Sequence, residues 1–318
     1  MSRCRPLIFY LKQLGQDSLK NRIKMKVLII GGTGMLGHKA AQILKRKKKL
    51  DVYATVRSNF QKIERLAIFD KTNTFENVDV ENHQTLKDII NGLKPEFILN
   101  AVGIIKQLES SKDVIKTLTI NAIFPHRLAE LAAETGAKVI TVSTDCVFRG
   151  DKGNYKETDV SDATDLYGKS KNLGELIGEN CLTVRTSIIG REIGSAHSLV
   201  EWFLSNRGGK VKGFTNAIYS GFPTVVLAEL IADLIIEQPD LNGLYHVSSR
   251  PINKYELIKL INEKFDARVE IEPFDDFYID RSLNSEKFQN ETGFAPPEWE
   301  TMIERMASDP TPYDEWRK

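Results

Sequence analysis

A buried strand followed at once by closely spaced glycines is the feature that most constrains the fold of this chain. Val27–Ile30 is a continuous apolar run, typical of a strand covered on both faces of a parallel sheet. Glycines then recur at three-residue spacing before a segment of helical character. Glycine permits a tight turn and lets backbone N–H groups approach a pyrophosphate at a helix N-terminus. The pattern predicts a dinucleotide-binding turn whose contact residues are Gly31, Thr33, Gly34, Met35, Leu36 and Gly37.

The rest of the chain alternates between strand and helix patterns. Further strands are predicted over residues 51–56, 97–101, 138–143, 182–186 and 243–247, and helices over 38–49, 84–93, 125–135, 197–203, 227–236 and 255–265. This order predicts an α/β fold: a doubly wound parallel sheet of Rossmann type, with about seven strands and right-handed crossovers.

Two lobes and an N-terminal extension are predicted from the same pattern. The cofactor-binding domain is expected over residues 25–186 plus about 215–248. A smaller C-terminal substrate lobe would comprise about 187–214 and 249–318. Residues 1–24 are basic and precede the first strand, so they are expected to be a disordered extension or the result of a start codon assigned too early.

Composition narrows the range of partners. With 44 basic and 43 acidic side chains, the net charge of +1 gives no electrostatic reason to expect nucleic acid or an anionic membrane as a partner. No apolar run approaches the roughly 20 residues that span a bilayer. Three widely spaced cysteines argue against a disulfide framework and favour a reducing, cytoplasmic location. The histidines never fall at zinc-like spacing, so no metal site is predicted.

The end of the second strand predicts which dinucleotide is bound. An acid there would bind the ribose 2′-hydroxyl and repel a 2′-phosphate, but the chain has Arg57, which favours NADP(H) over NAD(H). The alternative is a surface arginine without a ligand. Asp79 is expected to accept a hydrogen bond from the adenine amino group. Small residues after the fourth strand should let the chain pass beneath the cofactor, namely Asn100, Ala101, Val102 and Gly103.

Tyr167 and Lys171 form the candidate catalytic pair. Their i,i+4 spacing puts both side chains on one face of a predicted helix. A phenol has a pKa near 10, and a neighbouring ammonium together with an oxidised nicotinamide should lower it. The pair is therefore suited to give a proton to a carbonyl oxygen. Ser143-Thr144-Asp145 ends the preceding strand and adds to the signal.

Several motifs together resemble the extended short-chain dehydrogenase/reductases and, among them, the dTDP-4-dehydrorhamnose reductase family. The resemblance covers about residues 25–306 and is carried by Gly31–Gly37, Val142–Phe148, Tyr155–Asp159, Tyr167–Lys171 with Gly174-Glu175, and Val184–Ser187. It implies NADPH-dependent reduction of the keto group of a nucleotide-linked 4-keto-6-deoxy sugar. It also implies a homodimer.

The resemblance also implies roles for individual residues. Tyr167 would donate the proton, Lys171 would bind the nicotinamide ribose, and Thr144 would hydrogen-bond the keto oxygen. Asn121 would hold a water of the proton relay. Cofactor contacts are expected from Ser143, Arg185 and Thr186, and substrate contacts from Lys106, Asp145 and Arg281.

Departures from related enzymes favour reduction but leave alternatives open. Cys146 stands where the 4,6-dehydratases carry the glutamate that supports loss of water, and Thr144-Asp145 stands where epimerases usually carry Ser-Ser or Ser-Ala. Residues 104–107 and 214–221 look closer to relatives that serve surface polysaccharide synthesis. The nucleotide, dTDP or UDP, stays open. The alternatives are an epimerase with tightly bound NAD(P) and a non-catalytic NADP-binding regulatory subunit.

Overall fold

The computed structural model describes residues 24–106 and 109–317. Residues 1–23, which make up nearly all of the predicted N-terminal extension, lie outside the described residues. Within the described ranges, no helix is both long and apolar enough to cross a membrane.

A seven-stranded parallel sheet forms the centre of the protein. Its strands are β1 (Met25–Ile30), β2 (Leu50–Thr55), β3 (Thr74–Phe75), β4 (Phe97–Asn100), β5 (Lys138–Thr144), β6 (Cys181–Thr186) and β11 (Gly243–His246). They lie side by side in the order β11-β6-β5-β4-β1-β2-β3, and every adjacent pair is parallel. The order reverses direction at β1, so the carboxyl ends of β1 and β4 flank a crevice of the kind that binds ligands in such sheets. The predicted doubly wound fold is confirmed.

Helices cover both faces of this sheet, and further helices belong to the C-terminal half. In chain order the helices are α1 (Met35–Lys45), α2 (His83–Leu93), α3 (Val114–Leu118), α4 (Phe124–Thr135), α5 (Leu166–Leu173), α6 (Leu199–Ser205), α7 (Thr224–Glu237), α8 (Lys254–Lys264), α9 (Glu286–Thr292), α10 (Trp299–Ala307) and α11 (Tyr313–Trp316). A hydrophobic core lies on each face of the sheet, and successive side chains of β1 point alternately into one core and the other. Val27 and Ile29 pack beneath α1 and α7, whereas Leu28 and Ile30 pack beneath α2 and α4.

The prediction of a helix over residues 38–49 was wrong at both ends. The helix α1 begins at Met35, directly after the glycine turn, and stops at Lys45. It stops there because Leu50 already pairs with Met25 in the sheet, and the intervening residues are needed to turn the chain. The basic run is largely neutralised: Lys47 and Lys49 pair with Asp233 and Glu237 of α7.

The C-terminal half adds small sheets beside the main one. They join β8 (Lys210–Phe214) to β13 (Glu270–Phe274), β9 (Ala217–Tyr219) to β12 (Ile252–Asn253) and β14 (Ile279–Asp280), and β7 (Ile188–Ile189) to β10 (Phe222–Pro223). Residues 280–284 also run along the loop that follows β5. There Asp280 N donates to Gly150 O at 2.8 Å and Asn284 N donates to Tyr155 O at 2.7 Å. These bonds hold the C-terminal half against the carboxyl end of the central strands.

Candidate active site

The glycine turn is packed too closely to accept side chains at two of its positions. Gly31 has a φ of +87°, and a Cβ there would lie 2.7 Å from Cγ2 of Val102. A Cβ on Gly37 would overlap the carbonyl oxygen of Gly31, so α1 rests directly on the turn. Gly34 precedes α1 and gives it no side-chain cap. The first-turn N–H groups therefore suit a pyrophosphate, which is the group that the sequence predicts here.

The predicted turn residues differ in exposure. Thr33, Gly34 and Met35 reach the surface, whereas the side chain of Leu36 lies on the buried face of α1. Any contribution of Leu36 to a cofactor would therefore come from its backbone.

Arg57 lies at the adenosine end of the predicted cofactor site. Arg57 follows β2, is exposed, and forms no ion pair or hydrogen bond with any residue that the structure describes. Asp79 is also exposed, and its Oδ1 accepts from Glu81 N at 3.0 Å. Asn100 differs from the prediction in detail: it is buried, and its amide bonds Val102 N and the hydroxyl of Thr141. Asn100 thus fixes the backbone of the segment after β4 through hydrogen bonds inside the fold.

The helix α5 brings Tyr167 to the end of β5. It begins after Asp165, whose Oδ1 accepts from Gly168 N at 2.8 Å and so caps the helix. A Cβ on Gly168 would overlap the carbonyl oxygen of Cys146, so α5 approaches the end of β5 at backbone distance. As a result Tyr167 lies close enough to Thr144 for that side chain to influence the pKa of the phenol.

Lys171 lies one turn further along the same helix. Its side chain is buried, and its Nζ donates to the carbonyl oxygen of Val142 at 2.8 Å. Burial lowers the pKa of Lys171 to about 8, while the charge of Glu175 acts in the opposite direction. The pair predicted from the Tyr-x-x-x-Lys spacing therefore shares one helix face at the carboxyl end of β5.

The pKa of Tyr167 moves opposite to the prediction. Burial raises it well above its ordinary value, Cys146, Asp145 and Asp165 raise it further, and the interaction with Thr144 lowers it. The prediction counted the ammonium of Lys171 and the charge of an oxidised nicotinamide, whereas desolvation of the phenolate is the largest effect within the protein itself. Tyr167 is consequently protonated at neutral pH, which is the state that a proton donor needs.

The two cations predicted to bind substrate lie beside the same helix terminus. Lys106 Nζ is 2.9 Å from Oδ2 of Asp165, and Arg281 donates from Nε to Phe148 O at 2.8 Å. Burial raises the pKa of Asp165, but the bonds from Gly168 N and Lys106 and the charge of Arg281 hold it below its usual value. The loop after β4, the N-terminus of α5 and the C-terminal half thus meet close to Tyr167.

Cys146 and Asp145 complete the surroundings of Thr144. Arg281 reaches the thiol of Cys146, with 3.8 Å between Nη1 and Sγ. Burial raises the pKa of this thiol to about 12, so it is neutral at physiological pH. Asp145 is buried and accepts a hydrogen bond from Thr144 at 3.1 Å. Its carboxylate therefore fixes the orientation of the Thr144 hydroxyl.

Arg185, which was predicted to flank the cofactor, has its side chain inside the fold. The residue is 5% exposed, and both Nε and Nη2 lie 2.7 Å from the carboxylate of Glu175. A third nitrogen meets His246. Ser143 bonds the same carboxylate at 2.6 Å, and Thr186 is buried beside them. Arg185 therefore holds the central strands together from within the fold.

Asn121, which was predicted to hold a water of the proton relay, is buried and bonded within the fold. Its Oδ1 accepts from Ile104 N at 2.8 Å, and its Nδ2 donates to Ile104 O and to Ser170 Oγ. The side chain thus fastens the loop after β4 to α5, and the protein already occupies both polar ends of the amide. It lies in a π-helical turn, Thr119–Ile123, between α3 and α4. Such turns interrupt helices at functional sites more often than elsewhere.

The roles of two residues were missed. Asp165 has the side chain and position of a helix cap, immediately before a helical motif, so its capping role was open to prediction. Glu175 follows the end of α5, and the sequence analysis used it only as part of the Gly174-Glu175 motif. No group of three His, Cys, Asp or Glu side chains in the described part of the chain is arranged to hold a metal ion.

The fold and this arrangement define an extended short-chain dehydrogenase/reductase. The family model described as the RmlD substrate binding domain matches residues 25–311, and the chain belongs to that family.

Individual proteins show the same relationship. The chain is 26% identical over 314 residues to dTDP-4-dehydrorhamnose reductase of Escherichia coli K12, covering 90% of this chain and 98% of that one. It resembles the crystal structure of dTDP-4-dehydrorhamnose reductase from Bacillus anthracis in complex with NADP, with a TM-score of 0.73, 26% identity, and coverage of 89% and 98%. It is also 27% identical over 255 residues to mouse methionine adenosyltransferase 2 subunit beta, covering 76% of this chain and 72% of that one.

Proposed function

We propose that this chain reduces the keto group of a nucleotide-linked 4-keto-6-deoxy sugar with NADPH. The observation that carries the proposal is the placing of Tyr167 beside Thr144 at the carboxyl end of β5, with Lys171 one turn further along the same helix. Membership of the RmlD substrate binding domain family supports the same reaction.

The chain's own residues supply the proton chemistry. When bound, the reduced nicotinamide supplies the hydride. With substrate bound, the Thr144 hydroxyl would exchange its bond to Asp145 for one to the substrate's keto oxygen and hold that oxygen next to Tyr167, whose phenol delivers the proton as negative charge develops there. Lys171, held by Val142 O and near the charge of Glu175, binds the ribose and supports the phenolate left behind.

Three features of the chain support NADP(H) as the cofactor. The uncapped N-terminus of α1 suits the pyrophosphate, and the exposed Arg57 suits the 2′-phosphate of the adenosine ribose. The third is the likeness to a reductase solved in complex with NADP. Asp79 is proposed as the partner of the adenine amino group.

A cavity in the C-terminal half supports a nucleotide-linked substrate. It has a volume of about 310 Å³ and combines two aromatic rings with two ammonium groups. The rings suit a stacked base, and the ammonium groups suit a diphosphate. Its lining includes His197, Trp202, Lys212, Phe214, Lys254 and Ile258. We propose that the smaller sheets around it, with α6 and α8–α11, form the substrate lobe, and that the sugar extends from this cavity toward Lys106, Arg281 and Tyr167.

The test is NADPH consumption by the purified protein with dTDP- and UDP-linked 4-keto-6-deoxy sugars. Tyr167→Phe removes only the proton-donating hydroxyl, so turnover should fall by about 10²- to 10⁴-fold while NADPH binding persists. Tyr53→Phe is the matched control, because its hydroxyl bonds Asp51 on β2, away from the site. Absence of turnover in the wild-type protein with every keto sugar, despite NADPH binding, would favour a non-catalytic subunit instead. The likeness to methionine adenosyltransferase 2 subunit beta makes that the second candidate.

We also propose a homodimer formed through α3, α4 and α5. Large apolar side chains lie exposed on these helices and just beyond them: Ile115 is 80% exposed, Leu173 60% and Ile177 78%, with Ile123 nearby. A second copy would bury this face by two-fold symmetry. In sedimentation, Ile115→Glu should yield monomer, whereas Val160→Glu, at an equally exposed apolar residue outside these helices, should leave the dimer intact. A wild-type monomer would refute this proposal.

The proposed setting is the cytoplasm, where Cys146 and Cys181 would remain the free thiols that they are here. The motif resemblance further suggests that the deoxysugar serves a surface polysaccharide.

A further inference from the structure

The C-terminal segment 309–317 lies along α1, the helix that starts at the glycine turn. Asp309 is 2.5 Å from Lys39 Nζ, and Thr311 bonds both Lys39 and Gln42. Tyr313 packs edge-on against the ring of His38, with 5.6 Å between centroids. The segment 309–317 therefore contacts α1 at His38, Lys39 and Gln42.

His38 connects this segment to the glycine turn. The side chain is completely buried, with Nδ1 2.8 Å from Gly34 O and Nε2 2.8 Å from the hydroxyl of Tyr313. A carbonyl oxygen only accepts hydrogen bonds, so Nδ1 must carry the proton and donate to Gly34 O. Nε2 is then an acceptor, and Tyr313 donates to it. The two hydrogen bonds thus run in one direction, from Tyr313 through His38 to Gly34.

The bond to Gly34 fixes the direction of a cofactor-facing N–H group. Gly34 O and Met35 N–H belong to one planar peptide group and point in opposite directions. His38 donates to that oxygen twice, from Nδ1 and from its backbone N at 3.0 Å. The peptide plane is therefore held with Met35 N–H directed out of the helix N-terminus, where a pyrophosphate binds.

The other end of the segment holds the loop before α6. Asp314 is 2.6 Å from Nη2 of Arg191, and Arg317 donates to Glu192 O at 2.8 Å and also meets the buried Glu201. Tyr313 is therefore anchored on both sides. The position of its hydroxyl therefore depends both on the contacts of residues 309–311 with α1 and on the contacts of Asp314 and Arg317 with the loop before α6.

We propose that residues 309–317 form a positioning element for the cofactor turn, in which Tyr313 orients His38 and His38 orients the Gly34–Met35 peptide toward the pyrophosphate. This inference rests on the proposed function in one respect, namely that the turn binds a dinucleotide. Tyr313 and His38 do not touch the cofactor and act through the peptide group.

The test compares two ligands that differ in the pyrophosphate. NADPH uses the turn, whereas adenosine 2′-phosphate keeps the adenine and the ribose phosphate and lacks the pyrophosphate. Tyr313→Phe should raise the Kd of NADPH about fivefold, the scale of one lost hydrogen bond, and leave the Kd of adenosine 2′-phosphate unchanged. His38→Leu, which also loses the bond to Gly34 O, should give at least the same selective loss. Tyr245→Phe is the matched control, since it removes a hydroxyl bonded to Glu291, and it should change neither Kd.

Three outcomes would overturn the inference. An unchanged NADPH Kd in both His38→Leu and Tyr313→Phe would show that the turn does not depend on the segment. Equal weakening of both ligands would show general destabilisation instead of positioning. Failure of the wild-type protein to bind NADPH would overturn the proposed function itself, and this inference with it.

Discussion

Lys106 and Asp165 form an ion pair, 2.9 Å between Nζ and Oδ2, at the N-terminus of the helix that carries Tyr167. The carboxylate has two separate tasks there, since its other oxygen caps the helix through Gly168 N. An anionic substrate that approaches Lys106 must therefore compete with Asp165. Substrate binding to Lys106, close to the proton donor Tyr167, therefore requires that this ion pair be broken or shared.

We expect Asp165→Asn to lower KM for the nucleotide sugar. Asparagine caps helices about as well as aspartate, so α5 should persist while the ion pair is lost. Freed Lys106 would then meet the substrate's negative charge, and KM should fall about two- to fivefold, as expected for a partly exposed pair, with kcat preserved. Steady-state kinetics measure both.

Asp113→Asn is the control for this change, because Asp113 caps α3 through Lys116 N in the same way. It should leave KM unaltered. A higher KM in Asp165→Asn would show that Asp165 itself binds the substrate.

Arg57→Ala should reduce the preference for NADPH. The guanidinium has no described partner in the protein, so its removal costs only the bond to the 2′-phosphate. A charge-assisted bond of this kind is worth ~10- to 100-fold in affinity, and NADH binding should not change. Fluorescence titration with both nucleotides measures this, with the exposed Arg46→Ala as control. An equal loss for NADH and NADPH would contradict the assignment.

Acidification should destabilise the fold through His38. Burial lowers its pKa to about 4, the bond to Gly34 O and the charges of Asp309 and Glu192 oppose this, and Lys39 adds to it. The unfolded histidine titrates near 6.5, so the unfolded state takes up the proton first. The stability from neutral His38 is complete above pH 6.5 and is lost as the pH falls toward 4, by about 3 kcal/mol in all.

Urea unfolding at about pH 7 and about pH 5 measures this loss. Because His246 is also buried with a lowered pKa, His38→Leu should reduce the pH dependence without abolishing it. The exposed His83→Asn should not change it. An undiminished dependence in His38→Leu would refute the assignment to His38.

Arg185→Met should destabilise the protein strongly. It leaves the buried carboxylate of Glu175 without its main partner, which costs ~3 to 5 kcal/mol in comparable buried pairs. Adding Glu175→Gln should recover part of the loss, because the uncompensated charge disappears. Chemical denaturation gives both values. A cost below about 1 kcal/mol would mean that the pair contributes little to the fold.

Local patterns in the sequence predict the scaffold and much of the site. The glycine spacing, the Tyr167–Lys171 spacing and the strand that ends at Thr144 are each encoded within a few residues, and parallel pairing then brings their strand ends together. The alternation of strands and helices predicts that the main sheet is parallel and doubly wound, as observed.

Roles that depend on distant partners were not predictable in this way. Arginine is a residue type that often binds anionic ligands, and only the fold shows that the guanidinium of Arg185 is bonded to Glu175. Asn121 is engaged by Ile104, which no spacing rule connects to it. His38 and Tyr313 are 275 residues apart, so nothing local indicates their hydrogen bond. The direction of the Tyr167 pKa likewise depends on burial, which the helix pattern alone does not give.

The central claim is that hydride passes from NADPH to a keto carbon while Tyr167 protonates its oxygen. The most direct measurement uses NADPH carrying deuterium at the transferred position, with a dTDP- or UDP-linked 4-keto-6-deoxy sugar, and mass spectrometry of the sugar product. We predict one deuterium on the carbon of the former keto group with wild-type protein, and none within the same time with Tyr167→Phe. A product without deuterium, or full incorporation in Tyr167→Phe, would contradict the account.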